Sequence, residues 1–196
     1  FGVYNLNEVE GNYSGVPGFQ IGGGFNYFLK PEVELSSELW YLKSGFDYEV
    51  TPYPFTTIRY RERYHRIELP FSVLYTFKFE RMKPYVRIGL NNSILVSATG
   101  ESVRDYSNTG GIDINDISGS QKDIKDSRSS FNFSTFLGGG LRYGISKAYI
   151  SIDLRYHYGL ISQVLSKSRN NTHNDDIWLF YNQQDDFNLN NFSLTI

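Results

Sequence analysis

Four polar side chains able to do chemistry interrupt the most apolar part of the chain, the segment "FLGGGLRYGISKAYISIDLRYHYGL" at residues 136–160. They are Arg142, Asp153, Arg155 and His157. Carboxylate and imidazole groups are common acids and bases in enzymes, whereas charges that are merely buried require partners. The segment therefore poses two alternatives: a catalytic site, or a set of charges that pair with one another.

The neighbouring residues argue against catalysis. His65 and His157 lie near the ends of predicted strands, where a barrel protease or acyltransferase could hold its histidine. Neither has a nucleophile or a pair of carboxylates at a suitable spacing. The chain has no cysteine, which excludes thiol catalysis, disulfides and cysteine-based zinc sites. We therefore predict that the protein is not an enzyme.

Metal and cofactor sites are also not indicated. The polar segments that come nearest to a ligand set are His173, Asp175 and Asp176 in "NTHNDDIW", and Asp113, Asn115 and Asp116 in "GIDINDISG". Neither has the ligand spacing of a known zinc or calcium site. The two Gly-Gly-Gly triplets do not open a helix, so they are not phosphate-binding loops. We predict solvated loops, no metal and no cofactor.

The elements that position the polar residues are β-strands. Apolar and polar residues alternate with a period of two in many runs, and no helical period is sustained anywhere. In every run the charges share the face opposite the aliphatic residues. The pattern predicts seven strands, at residues 18–30, 33–41, 66–76, 85–97, 131–143, 148–158 and 187–196.

The charges on the polar face are balanced in number. The acids are Glu34, Glu38, Glu68 and Asp153, and the bases are Arg66, Arg87, Arg142 and Arg155. The interior of an eight-stranded barrel is just wide enough to be filled by side chains, and buried charges must be paired. We predict a structural salt-bridge cluster, for which the glycines on the same face leave room. A conducting or proton-relay path is the alternative.

The lengths of the connections indicate where the apolar face points. Alternation alone fits both a soluble lipocalin-like barrel, with its apolar face inside, and a membrane barrel turned inside out. Short connections at residues 30–31, 79–84 and 144–147 alternate with long ones at 42–65, 98–130 and 159–186. Short turns at one end and long loops at the other are typical of outer-membrane barrels.

Strand length and hydropathy agree with a membrane barrel. Each run supplies the 9–11 residues that a tilted transmembrane strand needs. The mean hydropathy of −0.40 is compatible with such a barrel, because its lumen-facing residues are polar. Bacterial barrels have an even number of strands, so we expect an eighth strand before the first run. Residues 1–17 would then be a long loop entering the first run from the outer side, and we expect a truncated first strand of which residues 1–3 are the last remnant.

Composition limits the remaining classes. The chain has 196 residues without a linker-like stretch, which predicts a single domain over residues 1–196. Its net charge is −2 and its basic residues are scattered, which argues against nucleic acid as a partner.

The order of motifs along the chain resembles the PorT-like outer-membrane β-barrel family of Bacteroidota. The motifs are Glu38, Leu39, Tyr41 and Gly45 at a strand end, Ile67, Glu68 and Pro70 in a strand, Pro84, Tyr85 and Gly89 in the next, a glycine-rich strand, and Arg155, Tyr156, Gly159 and Leu160 at a strand end. The resemblance extends from Gly18 over nearly the whole remaining chain.

The resemblance implies an eight-stranded, up-and-down antiparallel barrel integral to the outer membrane, with short periplasmic turns and long extracellular loops. Such barrels are usually not enzymes, and one member is associated with the type IX secretion system. We therefore expect a structural or partner-binding subunit of an outer-membrane complex. Its partners would be outer-membrane lipids, including lipopolysaccharide, and other outer-membrane or surface proteins. A small channel, an outer-membrane enzyme and a soluble ligand-binding barrel are the alternatives.

One loop segment is a candidate contact site for a protein partner. An apolar and aromatic cluster bracketed by acids stands in "DDIWLFYNQQDD" and consists of Ile177, Trp178, Leu179, Phe180 and Tyr181. Exposed clusters of this kind mark protein contacts. The alternative is that the cluster extends the last two strands and packs on other loops.

Overall fold

In the described part of the chain, seven strands follow one another across a single sheet, and two strands of two residues each pair at its side. The computed structural model describes residues 12–53, 56–79, 82–106, 117–118, 121–145, 148–163, 188 and 190–195. The strands are β1 (Asn12–Lys30), β2 (Val33–Tyr53), β3 (Thr56–Thr76), β4 (Met82–Tyr106), the short β5 (Ile117–Ser118) and β6 (Lys122–Asp123), β7 (Phe131–Ile145), β8 (Ala148–Gly159) and β9 (Asn191–Thr195). A single 3-10 turn covers Lys125–Ser127. Within these ranges, no helix is long and apolar enough to span a membrane.

The strands belong to one antiparallel sheet with the order β1-β2-β3-β4-β7-β8-β9, and β5 and β6 pair with β4. The sheet curls so that its edges approach: Gln20 on β1 donates a hydrogen bond of 2.5 Å to Thr195 on β9. Because β1 and β9 run in the same direction, an antiparallel barrel closes only with one more strand of opposite direction between them. The all-β, up-and-down prediction is confirmed, and the curled sheet is consistent with an eight-stranded barrel.

The sheet has its apolar face outside. On β8, Ile152 and Leu154 are 51% and 55% exposed. The residues that follow each of them, Asp153 and Arg155, are only 3% and 4% exposed. The same alternation runs along the other strands, with aliphatic side chains outward and polar side chains buried. A soluble barrel would bury the aliphatic face instead. The lipocalin-like alternative is therefore wrong.

Several strands are longer than the sequence predicts. Residues 42–65 were expected to form a loop, but β2 continues to Tyr53 and β3 begins at Thr56, and the two stay paired up to the contact of Tyr53 with Thr56. Likewise, β4 continues to Tyr106 into the expected loop 98–130. At the first strand, residues 12–17 belong to β1 rather than to an entering loop. Residues 1–11 lie outside the described part.

These strand extensions were not predicted because the apolar and polar faces exchange sides along the strands. At what we call the turn end, near the short connections, aliphatic residues point outward. At the opposite loop end, Phe46, Tyr48, Tyr60 and Tyr64 point inward and are at most 2% exposed. Charged residues such as Arg61 face outward there. The alternation continues, but its apolar members change sides, as expected where a strand leaves a lipid-facing band.

The reversal gives the height of the apolar band. On β2 the outward apolar residues run from Val33 to Tyr41, and on β3 they run from Ile67 to Tyr75. Each span has the length that a tilted transmembrane strand requires. Exposed aromatic side chains mark the turn end of the band: Tyr27, Tyr75, Phe77, Phe79 and Tyr143.

Candidate functional site: a charge network across the lumen

Four charged side chains form a closed ring inside the barrel, which we call the quartet. Arg87 binds Glu38 at 2.7 Å and Asp153 at 3.1 Å. Arg155 binds Glu38 at 2.6 Å and Asp153 at 2.5 Å. Each cation thus contacts both anions, and all four side chains are buried. Two positive and two negative charges leave the ring neutral, which offsets much of the desolvation that burial costs.

The quartet spans the lumen. Glu38 is on β2 and Asp153 and Arg155 are on β8, and the strands β3, β4 and β7 separate β2 from β8 in the sheet. In an eight-stranded barrel this separation places the two strands on opposite walls. A second bridge, from Arg142 on β7 to Glu34 on β2 at 2.5 Å, crosses nearer the turn end.

Aromatic donors complete the quartet. Trp40 donates its indole N–H to Glu38 at 2.8 Å, and the Tyr85 hydroxyl donates to Asp153 at 2.6 Å. The Phe136 ring lies beneath the guanidinium groups of Arg87 and Arg155, at 5.9 and 5.6 Å from its centroid. These three residues were not predicted, although their position on the charged face of their strands was a usable signal.

Glycines on the inner face make the ring sterically feasible. A Cβ at Gly138 would lie 3.0 Å from Cγ of Arg155, and one at Gly24 would lie 2.7 Å from Cγ of Glu38. A Cβ at Gly140 would lie 2.5 Å from the Tyr85 hydroxyl. The long charged side chains and the tyrosine therefore occupy the space that other residue types would fill.

Two members of the predicted cluster lie outside both the quartet and the bridge from Arg142 to Glu34. Arg66 is 1% exposed, donates to the side-chain oxygen of Gln163, and lies over the Tyr64 ring at 5.2 Å. Glu68 is also buried, and with Arg66 and His157 it lines a cavity of about 410 Å³ at the seam between β1 and β9. The structure thus places all eight predicted charges inside, in more than one layer.

A further buried ion pair lies at the loop end and was not predicted. Glu62 on β3 accepts hydrogen bonds from Arg128, and both side chains are fully buried. The Tyr60 and Tyr64 hydroxyls also donate to Glu62, the former at 2.7 Å. Burial, together with the negative charge of Glu62, holds the pKa of Tyr60 well above its usual value. Both residues of this pair were expected to lie in loops.

The remaining candidates do not form a site in the described part of the chain. His157 points inward, stacked on Phe136 with ring centroids 5.0 Å apart, and its Nε2 is 3.4 Å from the Ser193 hydroxyl. His65 is on the outward face, where its ring hydrogen-bonds the Tyr41 hydroxyl. Among the described residues, no group of three or more His, Cys, Asp or Glu could hold a metal.

Outside the described residues lie Asp113, Asn115, Asp116, His173, Asp175 and Asp176, as well as the cluster Ile177, Trp178, Leu179, Phe180 and Tyr181.

An inside-out antiparallel sheet with ion pairs in its lumen defines a transmembrane β-barrel. The model of the family described as outer membrane protein beta-barrel domain matches residues 4–164, and the chain belongs to that family. The protein is therefore an outer-membrane barrel protein of bacteria. Neither a curated protein nor a solved structure is similar enough to the chain to match it. The narrower PorT-like assignment stays a prediction.

Proposed function

We propose that the protein is a non-enzymatic outer-membrane barrel that serves as a structural or partner-binding subunit of an outer-membrane complex. The observation that carries this proposal is the neutral quartet across the lumen. An ion that passed this level would have to separate buried pairs, and breaking a buried pair costs about 3–5 kcal/mol. A lumen closed in this way favours a function on the outside of the barrel over transport through it.

The proposal assigns the loop end to the cell exterior and the short turns to the periplasm. Short periplasmic turns and long extracellular loops are usual in this class of barrel. The β2–β3 hairpin extends from Lys43 to Tyr53 beyond the apolar band, which is about 33 Å of strand at 3.3 Å per residue. It therefore offers a large surface to a partner. A secretion-related role rests only on the resemblance to PorT-like proteins.

A pull-down tests partner binding directly. The barrel is purified in mild detergent, and co-purifying proteins are identified by mass spectrometry. We expect the double change Trp178→Ala and Phe180→Ala to loosen a partner but to leave the barrel folded, as judged by its faster gel migration before heating. The matched control is Phe77→Ala with Phe79→Ala, which removes exposed aromatic rings at the turn end. If the Trp178 and Phe180 variant retains every partner, or if the wild type has none, a monomeric structural barrel is the better account.

Electrical recording tests the alternative of a small channel. In planar bilayers we expect no stepwise conductance from the wild type, because the quartet and the bridge from Arg142 to Glu34 occupy the lumen. Reproducible conductance steps that disappear with the protein would favour the channel. Hydrolysis of outer-membrane lipid or peptide by the purified barrel would favour an enzyme instead.

A further inference from the structure

A row of aromatic and cationic side chains lies where the apolar band ends at the loop end, on the outward face of β1, β2 and β3. The Phe19 and Tyr41 rings are 6.3 Å apart, and the Tyr41 and His65 rings are 5.9 Å apart. Lys43 is exposed and stands beside Phe19 on one side and His65 on the other, because both are its register partners. Aromatic rings and snorkelling lysines are typical of the headgroup level of a membrane.

Arg63 is held close to Lys43 by the backbone. It pairs across the strands with Gly45, two residues from Lys43, and its side chain passes over that glycine. A Cβ at Gly45 would lie 2.8 Å from Cδ of Arg63. The guanidinium donates to the Glu62 carbonyl at 2.9 Å and contacts Asp47 at 3.0 Å. The arginine is therefore pre-positioned just above the aromatic row.

Positive charge is concentrated at this level and not above it. Next to the aromatic row, the three cations Lys43, Arg61 and Arg63 stand against two carboxylates. These are Asp47, which both arginines share, and Glu101, the exposed register partner of Arg61 on β4. Farther from the band the balance reverses, because Arg59 alone faces the two acids Glu49 and Asp105. The excess of positive charge is thus directed at the membrane surface.

We propose that Lys43 and Arg63 form a binding site for the phosphate groups of outer-leaflet lipids, with the Phe19 and Tyr41 rings at the boundary between headgroups and acyl chains. The height of the site favours a lipid over a protein partner, because Lys43 lies two residues from Tyr41 and Arg63 lies four residues from Ile67, where the apolar bands of β2 and β3 end. A guanidinium and an ammonium suit phosphate oxygens. The inference goes beyond the proposed function and is independent of whether a protein partner exists.

Native mass spectrometry of the folded barrel in detergent tests the site. The wild type is titrated with diphosphorylated lipid A and, separately, with lipid A from which the phosphates have been removed. The variant is Lys43→Gln with Arg63→Gln. The control is Lys30→Gln with Lys83→Gln, which removes two positive charges from exposed residues at the turn end. Gel migration before heating verifies that each protein is folded.

We expect the Lys43 and Arg63 variant to bind the phosphorylated lipid about 25-fold more weakly, since each of the two basic residues near an anionic surface contributes roughly fivefold. Binding of the phosphate-free lipid and binding by the control should not change. If the double variant does not fold, the single change Lys43→Gln, at an exposed residue, must still weaken binding of the phosphorylated lipid alone. Equal binding by wild type and variant would overturn the proposal, as would equal loss for both lipids. Preferential binding of an acidic peptide would also overturn it, in favour of a protein partner.

Discussion

The quartet predicts a strong energetic coupling between residues on opposite walls of the barrel. In the variant Glu38→Gln, Arg87 and Arg155 share only Asp153, so one buried cation loses its compensation. Glutamine keeps the size of the side chain and an acceptor for the indole of Trp40, which limits the change to the charge. We expect unfolding to become easier by about 3–5 kcal/mol, the usual cost of breaking a buried pair from one side.

The double change Glu38→Gln with Arg155→Gln restores neutrality. Its cost should therefore be smaller than the sum of the two single costs, by a coupling energy of about 1–3 kcal/mol. The control cycle uses Asp47 and Arg61, whose contact at 3.1 Å is largely exposed to solvent. There the coupling should stay below about 1 kcal/mol.

The assay is reversible urea unfolding of the barrel in lipid vesicles, followed by tryptophan fluorescence and by the fraction that migrates faster before heating. Midpoints and slopes give the free energy of unfolding for the four proteins of each cycle. The reasoning is refuted if the destabilisation by the double change equals the sum of the two single destabilisations to within about 0.5 kcal/mol. Stability changes at side chains that do not interact are additive.

Three further predictions concern the wall, the packing and the loop end. Ile152→Arg should destabilise the barrel by about 2–4 kcal/mol in vesicles, whereas Val103→Arg, beyond the apolar band, should be nearly neutral by the same urea assay. Gly140→Ala should cost about 1–3 kcal/mol, because the added carbon would lie 2.3 Å from a backbone carbonyl, whereas Gly144→Ala, with nothing within 4 Å, should not. The raised pKa of Tyr60 means that the folded state keeps a proton that the unfolded chain loses above about pH 10. Stability should therefore fall as pH rises beyond that value, and Tyr60→Phe should reduce the fall if the buried phenol is responsible.

The faces of the strands were predictable because alternation carries that information residue by residue. Ile152 and Asp153 are adjacent in sequence, so a strand must place them on opposite sides, and only one side can be lipid. The same logic selected all eight inward charges. It could not give their pairing, since the contact of Arg155 with Glu38 depends on how far the sheet curls.

The loop-end extension was missed for a different physical reason. Strand patterns were read with aliphatic residues outward, but beyond Tyr41 the outward face meets water and the inward face carries aromatic rings such as Phe46. Glu62 lies in this extension, and its ion pair with Arg128 was therefore not predicted. The partner of Glu62 lies in the chain segment after β4, and no local pattern connects the two.

The central claim is that the aliphatic face meets lipid and the charged face meets the lumen, and cysteine scanning tests it most directly. The native chain has no cysteine, so single cysteines can carry a nitroxide spin label without background. Adjacent positions make the comparison sharp: Leu35 against Ser36 on β2, and Val73 against Ser72 on β3, with the leucine and the valine exposed and both serines buried. In vesicles, we predict that labels at Leu35 and Val73 collide readily with oxygen dissolved in the lipid, and that labels at Ser36 and Ser72 do not. The opposite pattern, or no alternation at all, would contradict the inside-out barrel.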